Sequence, residues 1–529
     1  MQRRSLGLGL LVACASGEPA PVIETEVILD LGARGLSPDA DAKPIVDAAL
    51  EEALAILAED GSLPVVLRFP PGDFGFAHPS EPALAIANTA GPLVLRGAGL
   101  RTTSLRFEQF DQYGILLGNA DRVTIEGLHL TRPGLYTTQG EVTAVQPGRI
   151  RFAIHAGFPD PIPLVDAPGA LDNDRTLIRF TGPPADPALA PNSVSYKLCP
   201  AGRADCASPL TLVADREYEA ILDDVAEVAD LEVGDRVALK AKAGEQTVRA
   251  EDCDDLVVRD VLFTRNAAVT LAVKGDSNRT VIERVRVERG PLIEGRAPFF
   301  AGPGGGPQVT AGTEGPVIRD CVIEGTTDDA IAVFSDRAAT PMRGARIEHN
   351  TIRDGQGRGI NITQSTDGVV ANNTIVRCQN PSIQIKSNQA SEGTGAVVRW
   401  TISGNRLVQP WTDPAIFLTR ENGEAAGRHD EITIVDNIIE EASRANPVLH
   451  VRNTLGLEVR DNTIASFSDE LDVPGRGLPS GLVPIVFVED AQLVTGTGNT
   501  CTTPTPRPAV VIDAGNPGTV DLAWAGAAP

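Results

Sequence analysis

The amino-acid sequence predicts an all-β protein: a solenoid of stacked strand coils (a parallel β-helix) with an N-terminal capping helix and an inserted barrel. Three observations carry this expectation. The 529 residues include 52 glycines and 40 prolines but only 4% aromatics. That composition suits many short strands joined by tight turns, because Gly and Asn accept left-handed backbone angles at little cost. A six-residue pattern then recurs after residue 250. Finally, a lone amphipathic helical pattern, entered from a strand at VILD (27–30), stands ahead of the first coils.

The recurrent pattern reads VRDVLF (258–263), IERVRV (282–287), IRDCVI (318–323), IEHNTI (347–352), VANNTI (370–375), ISGNRL (402–407), IVDNII (434–439) and VRDNTI (459–464). Its fourth positions are Val261, Val285, Cys321, Asn350, Asn373, Asn405, Asn437 and Asn462, separated by 24, 36, 29, 23, 32, 32 and 25 residues. A minimum near 23 with variable excess is the signature of coils whose loops bulge outward. The five asparagines are expected to stack at one corner, each bonding the next turn's backbone and itself left-handed. An earlier copy, IEGLHL (125–130), stands far upstream of the series, so an insertion lies between.

That insertion runs from about Pro133 to Gln246 and ends in VGDRVALKAK (233–242), whose alternation and Gly-Asp turn fit a small β-barrel. Upstream, a helix is expected from near Lys43, with Pro44 in its first turn and a buried stripe of Ile45, Ala48, Ala49, Leu50 and Leu54. Such a helix covers the open end of a solenoid and blocks edge pairing. VVLRFPPGDF (65–74) and LVLRGAGL (93–100) read as the first coils. The expected segments are 1–24 (signal and tether), 25–132 (cap and first coils), 133–246 (inserted barrel) and 247–529 (main solenoid and C-terminal coils).

The first residues read as an address. Arg3 and Arg4 precede a short apolar run, Leu6 to Ala13, that stops at Leu11-Val12-Ala13-Cys14. The run is too short to cross a bilayer, which needs roughly 20 apolar residues. It resembles a bacterial lipoprotein signal, which implies acylation of Cys14; with Ala15 following the cysteine it implies outer-membrane or surface attachment, a secreted or periplasmic protein being the alternative. An exported chain is permitted disulfides, and Cys199 with Cys206, flanking a six-residue loop, is the expected pair. With 46 Lys+Arg against 70 Asp+Glu the net charge is −24, and no basic run is long enough for a polyanion. Nucleic acid is therefore an unexpected partner.

DLGARGLSPDADAKPIVDAALEEA followed by VVLRFPPGDF resembles the start of the pectin-lyase-like, right-handed parallel β-helix enzymes. A closer resemblance covers most of residues 27–465: the insertion ending in VGDRVAL, the run RAEDCDDLVVRDVLFTRNAAVTLAVKGDSNRTVIERVRV, then GPVIRDCVIEGTTDDAIAVFS and RGINITQSTDGVVANNTI. Their order and spacing are similar to the α-1,3-galactosidases of glycoside hydrolase family 110, inverting exo-enzymes on a β-helix. The resemblance implies a glycan substrate, no cofactor, and catalytic roles for Asp328 and Asp329 in TTDDAIAV. An inverting glycosidase needs one protonated carboxyl and one carboxylate, and two close acids repel so that one pKa rises.

One departure stands out. The family places a further Asp, three residues ahead of a His, about 23 residues before the acid pair; here GPGGGPQVTAG (302–312) puts Gly305 and Gln308 there. Neither exchanges a proton at neutral pH. Substitute acids on neighbouring coils are Asp354, Asp367, Glu324 and Asp336, each equally a solvated turn acid, while His349 reads as a corner residue. Sugar binding needs hydrogen-bonding groups and an aromatic platform. Arg358, in an Arg-Gly step similar to the family's, ranks first, with Gln308, Asn361, Gln364, Lys386 and Trp400 as further candidates, Trp400 reading more readily as packed under a loop. The acids could hold Ca²⁺ as in pectate lyases, but the basic residue such a lyase requires is not evident. The expected function is an exported exo-α-galactosidase-like hydrolase. Its alternatives are another polysaccharide hydrolase or lyase on this fold, or a catalytically silent carbohydrate-binding protein.

Overall fold

The computed structural model describes residues 26–528 apart from 78–81, 90, 110, 166–175, 182–191, 199–208, 224–230, 241–243, 311, 336–340, 388–394, 411–412, 421–426, 444–445, 469–482 and 514. Cys14, the Cys199/Cys206 pair and Asp336 lie outside the described residues.

Short strands wind into a right-handed β-helix whose coils each supply strands to three parallel sheets. The six-residue pattern is one corner of a coil. Its first residue points inward from the first sheet: Val258, Ile282, Ile318, Ile347, Val370, Ile402, Ile434 and Val459 fall in register on successive strands. Its sixth points inward from the second sheet, where Phe263, Val287, Ile323, Ile352, Ile375, Leu407, Ile439 and Ile464 stack the same way. All sixteen belong to one buried core. Each such side chain contributes roughly 1.5–3 kcal/mol by leaving water. Long loops therefore cost the stack little, because they leave from turns and not from these positions.

Between first and sixth residues the chain turns, and there the asparagines form the expected ladder with two corrections. Asn373 Oδ1 accepts from the backbone N–H of Asn350 (2.9 Å) and from its Nδ2 (3.0 Å), while Asn373 Nδ2 donates to the Ile347 carbonyl (2.8 Å). The bonds to backbone thus reach the preceding coil, not the next, while Asn373 Nδ2 also donates to the next rung's Asn405 Oδ1 (3.0 Å). The left-handed residue is also the neighbour before each asparagine: His349, Asn372, Gly404, Asp436 and Asp461 have φ between 55° and 62°. That conformation swings the following side chain into the solenoid, where the asparagines are buried. Asn499 extends the ladder by one more rung, its Oδ1 accepting from the Asn462 N–H at 3.0 Å.

The capping helix spans Lys43–Glu59, with Pro44 in its first turn. It packs against the first-coil strands Val65–Arg68 and Leu84–Thr89. Its buried stripe is Val46, Ala49, Leu50, Ala53 and Leu57, whereas Ala48 is exposed and Ile45 and Leu54 are half-buried. The expected stripe was rotated by about one residue. Lys43, itself buried, directs its Nζ to the carbonyl of Pro82 (3.2 Å), and this ties the start of the helix to the coil beneath it.

The insertion folds as a seven-stranded antiparallel sheet with its own core, which includes Val142, Phe152, Leu177, Tyr218, Val237 and Leu239. The strand Asn192–Lys197 lies at one end of the strand order, yet Leu198 bridges Leu222 and the Asp223 N–H reaches the Lys197 carbonyl at 2.9 Å. These contacts close the sheet into a barrel. The chain leaves the solenoid after the second-sheet strand His129–Thr131 and returns to the third sheet at Val248–Glu251. Buried Arg132 clamps exit and return, donating to the carbonyls of Gln112 (2.7 Å) and Glu245 (3.2 Å). The barrel therefore replaces one turn between the second and third sheets.

Candidate functional site

Asp328 and Asp329 occupy the same kind of turn, between Val322–Glu324 of the second sheet and Ile331–Phe334 of the third. The equivalent turn one coil earlier holds Gly302, Gly304, Gly305 and Gly306, and one coil later Gly355, Gly357 and Gly359. These glycines let backbones stack in contact. A Cβ on Gly357 would lie 2.2 Å from the Asp328 carbonyl carbon, and one on Gly305 would lie 2.5 Å from the Asp329 carbonyl oxygen. The position where the family resemblance expects an acid is thus directly beside Asp329. It admits no side chain without moving that turn.

Asp329 is buried and Asp328 half-buried. Arg358 donates to Asp329 Oδ1 through Nη1 (3.0 Å), and Asn361 Nδ2 donates to Oδ2 (2.8 Å). The Asp329 N–H donates to Asp328 Oδ1 at 2.9 Å, so the second acid caps the turn that presents the first. Burial pushes the Asp329 carboxyl up from its ordinary pKa. The neighbouring Asp328 charge pushes the same way, and Arg358 and Asn361 pull against them. Desolvation prevails, because a buried carboxylate loses more hydration than one guanidinium and one amide return.

The structure brings Asp328, Asp329, Arg358 and Asn361 together, with Gln308 on the adjoining third-sheet strand opposite Ala332. Other candidates fall elsewhere. Asp354 is buried between Arg289 (3.1 Å) and Arg377 (2.6 Å); burial raises its pKa and both arginines oppose this. It is a structural node. Asp367 pairs with Arg399 at a first-sheet corner, a bond that holds its carboxyl down at about 2. Glu324 pairs with Arg353 at 2.7 Å on the second sheet, and His349 is an exposed left-handed corner. Gln364 sits past the far end of its strand, also left-handed, and Lys386 lies two residues along from Gln384. Trp400 is fully buried in the solenoid core, with its ring against Gly368, so it is no platform for a sugar.

Two contributions were not anticipated, the first from the barrel through Lys240 and Gln139. Lys240, from the last barrel strand, donates its Nζ to the Thr327 carbonyl at 2.9 Å, one residue before the acid pair. Gln139 from the first barrel strand donates to the Ala297 carbonyl (3.1 Å) and accepts from the Phe299 N–H (2.8 Å), while Ile178 and Ala238 pack on Phe299 and Phe300. The barrel, leaving from the same edge of the solenoid, thereby braces the glycine-rich loop under Asp329. Gln384 is the second, buried on the outward face of the third sheet beside Asn361. Asn361 Oδ1, Gln384 Oε1 and Thr327 Oγ1 are buried without a hydrogen-bond partner among the described residues. Buried polar atoms are normally satisfied, so these three leave hydrogen-bonding capacity unused close to the acid pair. Among the described residues, no group of three or more His, Cys, Asp or Glu side chains is placed to hold a metal ion.

A family model described as the right handed beta helix region matches residues 240–394 and 309–464. No curated protein matches the chain. Among solved structures, the Agl-KA catalytic domain is similar with a TM-score of 0.53 at 11% identity, covering 95% of this chain and 68% of that one. A GH87 alpha-1,3-glucanase catalytic domain in complex with tetrasaccharides gives 0.51 at 12%, covering 96% and 69%. The catalytic unit of a GH87 alpha-1,3-glucanase from Streptomyces thermodiastaticus gives 0.47 at 15%, covering 98% and 70%. At such identities the likeness is one of fold: this chain is a right-handed parallel β-helix protein.

Proposed function

We propose that the protein is a glycoside hydrolase that removes a terminal sugar, an α-galactoside by the motif resemblance to glycoside hydrolase family 110, with inversion at the anomeric carbon. The observation that carries this reading is the pairing of a buried carboxyl of raised pKa, Asp329, with a half-buried acid, Asp328, in one turn. In this reading Asp329 protonates the leaving oxygen as the glycosidic bond breaks. Asp328 takes a proton from the water whose oxygen attacks the anomeric carbon from the opposite face. Arg358 and Asn361 orient Asp329, and Gln308 hydrogen-bonds the sugar. That alpha-1,3-glucanases share the fold is consistent with glycan hydrolysis but does not select the sugar.

The assay is galactose release from a terminal α-1,3-galactoside, followed by NMR. β-Galactose is expected as the first product, and loss of release in Asp328→Asn and Asp329→Asn. Turnover that survives both substitutions would sink the assignment. The glycine at 305 favours a second reading, a carbohydrate-binding protein without turnover, which sugar binding with no release would support. The proposal extends to location: export, with the mature chain beginning at acylated Cys14 on the outer membrane. Mass spectrometry of the N-terminal peptide is expected to show the lipid mass, and an unmodified Cys14 would refute it.

A further inference from the structure

A cleft of about 600 Å³ opens on the outward face of the second sheet, where the chain leaves the solenoid for the barrel at Pro133. Consecutive coils floor it. Asp73, Ser104 and His129 stand in register on the strands Gly72–Phe76, Thr103–Phe107 and His129–Thr131, with Arg106 and Thr131 in the next file. Phe74, Leu105 and Leu130, which alternate with them, point into the core, so these side chains face out. The volume falls in the range of small-ligand sites, about 300–1,000 Å³. Thr264 and Arg265, also in the lining, lead into the turn equivalent to that of Asp328 and Asp329, two coils before it.

The lining sets one carboxylate, Asp73, against three arginines, Arg106, Arg132 and Arg265, in a chain whose net charge is −24. Arg106 is committed to Asp73 and Glu108, and buried Arg132 to the carbonyls at the barrel's exit. Arg265 is not committed in this way. Its Nη1 donates to the Pro133 carbonyl at 2.8 Å, but its other guanidinium nitrogens are neither buried nor bonded among the described residues, and none of their carboxylates pairs with it. An open guanidinium fork suits a carboxylate, which it grips through two parallel bonds. On the floor, His129 Nε2 meets Thr264 Oγ1 at 2.8 Å and Thr264 Oγ1 meets Thr131 Oγ1 at 2.8 Å. His129 Nδ1 and Ser104 Oγ are neither buried nor bonded among the described residues. Burial, then the Arg101 charge, push the His129 pKa down to about 4, so the ring is neutral at pH 7 and offers a hydrogen bond, not a charge.

We propose that this cleft binds an acidic sugar, a hexuronic acid residue whose carboxylate pairs with Arg265 and whose hydroxyls bond Ser104 Oγ and His129 Nδ1. A carboxylate is favoured over sulfate or phosphate because it is planar and one guanidinium satisfies it, whereas a tetrahedral oxyanion calls for more donors than one open arginine gives. A sugar is favoured over a simple acid because two open hydrogen-bonding groups stand on adjacent rungs. Rungs are about 4.8 Å apart, within the span of one pyranose ring. The overall negative charge does not prevent this, since acids farther away than a Debye length of about 8 Å are screened and Arg265 is at the ligand. The site is an accessory grip on a glycan and does not rest on the glycosidase reading.

The test titrates the full chain at pH 7 with D-galacturonate and D-glucuronate while NMR follows the His129 ring protons, assigned by their loss in His129→Gln. A uronate is expected to move them to saturation, with the matching neutral sugars, acetate and sulfate binding about tenfold more weakly or less. Arg265 has a φ of 55°, a conformation that asparagine tolerates. Arg265→Asn should therefore keep the fold and weaken uronate binding about tenfold, and Ser104→Ala about threefold. Acetate or sulfate binding as tightly as the uronates would reduce the cleft to a plain anion site and overturn the proposal. Equal binding of the neutral sugars, unchanged affinity in Arg265→Asn, or no response to any probe would overturn it too. Should Arg265→Asn not fold, Ser104→Ala and the neutral sugars still decide. Asp329→Asn should leave the His129 response unchanged, so failure of the glycosidase reading and failure of this one are told apart.

Discussion

Asp329→Asn is expected to lower turnover about a thousandfold, in the middle of the range for removing a general acid, while the chain stays folded. The second half of that expectation comes from the neighbours. The variant amide keeps one oxygen to accept from Arg358, and its new nitrogen would meet Asn361 Nδ2, the present donor at 2.8 Å. Asn361 can turn its amide over, presenting Oδ1, the oxygen that has no partner. The hydrogen-bonded turn survives and only the transferable proton is lost. Steady-state kinetics alongside circular dichroism separates these effects, and a variant that retains turnover would remove Asp329 from the chemistry.

The same substitution carries a pH signature. Burial places the Asp329 pKa above that of an unfolded carboxyl. Below both values the group is protonated in folded and unfolded chains and costs nothing. As pH rises through that interval the unfolded chain ionises first, so the wild type loses stability, whereas the asparagine variant does not. The difference in urea midpoint between variant and wild type should therefore shift in the variant's favour from acid to neutral pH. Turnover should fall along the alkaline limb as Asp329 gives up its proton.

Much of this architecture could be read in advance because a solenoid repeats its instructions. The alternation around each asparagine recurs often enough to reveal the coil, and the inward Ile and Val positions are those the pattern marks. What escaped were one-residue matters and long-range neighbours. The left-handed residue precedes each ladder asparagine because the turn needs a residue that swings the next side chain inward, and Asp, His, Asn or Gly at that place carries the signal weakly. Asn499 was missed because the six-residue pattern lapses before it. Trp400 packs inside the solenoid and not under a loop, as register shows: aligned with Gly368 and Ile432, it falls on an inward position. The same alignment applied to GDFGF, TSLRF and HLT would have put Asp73, Ser104 and His129 on one outward file. No local pattern announces Lys240, whose role depends on where the barrel leaves the solenoid.

Asn405→Ala should destabilise the solenoid by about 3–5 kcal/mol, one of the largest single-residue effects in the molecule. Asn405 is wholly buried at the middle of the ladder. Its Oδ1 accepts from the Asn373 N–H (2.9 Å) and Asn373 Nδ2 (3.0 Å), and its Nδ2 donates to the Val370 carbonyl (3.0 Å) and Asn437 Oδ1 (2.9 Å). Truncation removes four bonds and leaves their partners with no room for water to reach them easily. Each buried group left unsatisfied costs about 1–3 kcal/mol, and partial relaxation of the corner holds the total below the simple sum. Asn405→Asp would be no remedy, since it trades two donor hydrogens for a buried charge facing two carbonyl-type oxygens. Urea denaturation should show a lower midpoint for Asn405→Ala and a much smaller shift for the exposed corner substitution His349→Ala. Equal shifts for the two would mean that apolar stacking alone holds the coils in register. Because stacked coils are stabilised chiefly by their neighbours, the loss at Asn405 should also loosen its own coil and the coils stacked on it, in the direction of the one that carries Asp329 three coils earlier. Amide exchange is expected to speed up first at Asn373, whose N–H loses its acceptor Asn405 Oδ1, and less at position 405, whose N–H keeps Asn437 Oδ1.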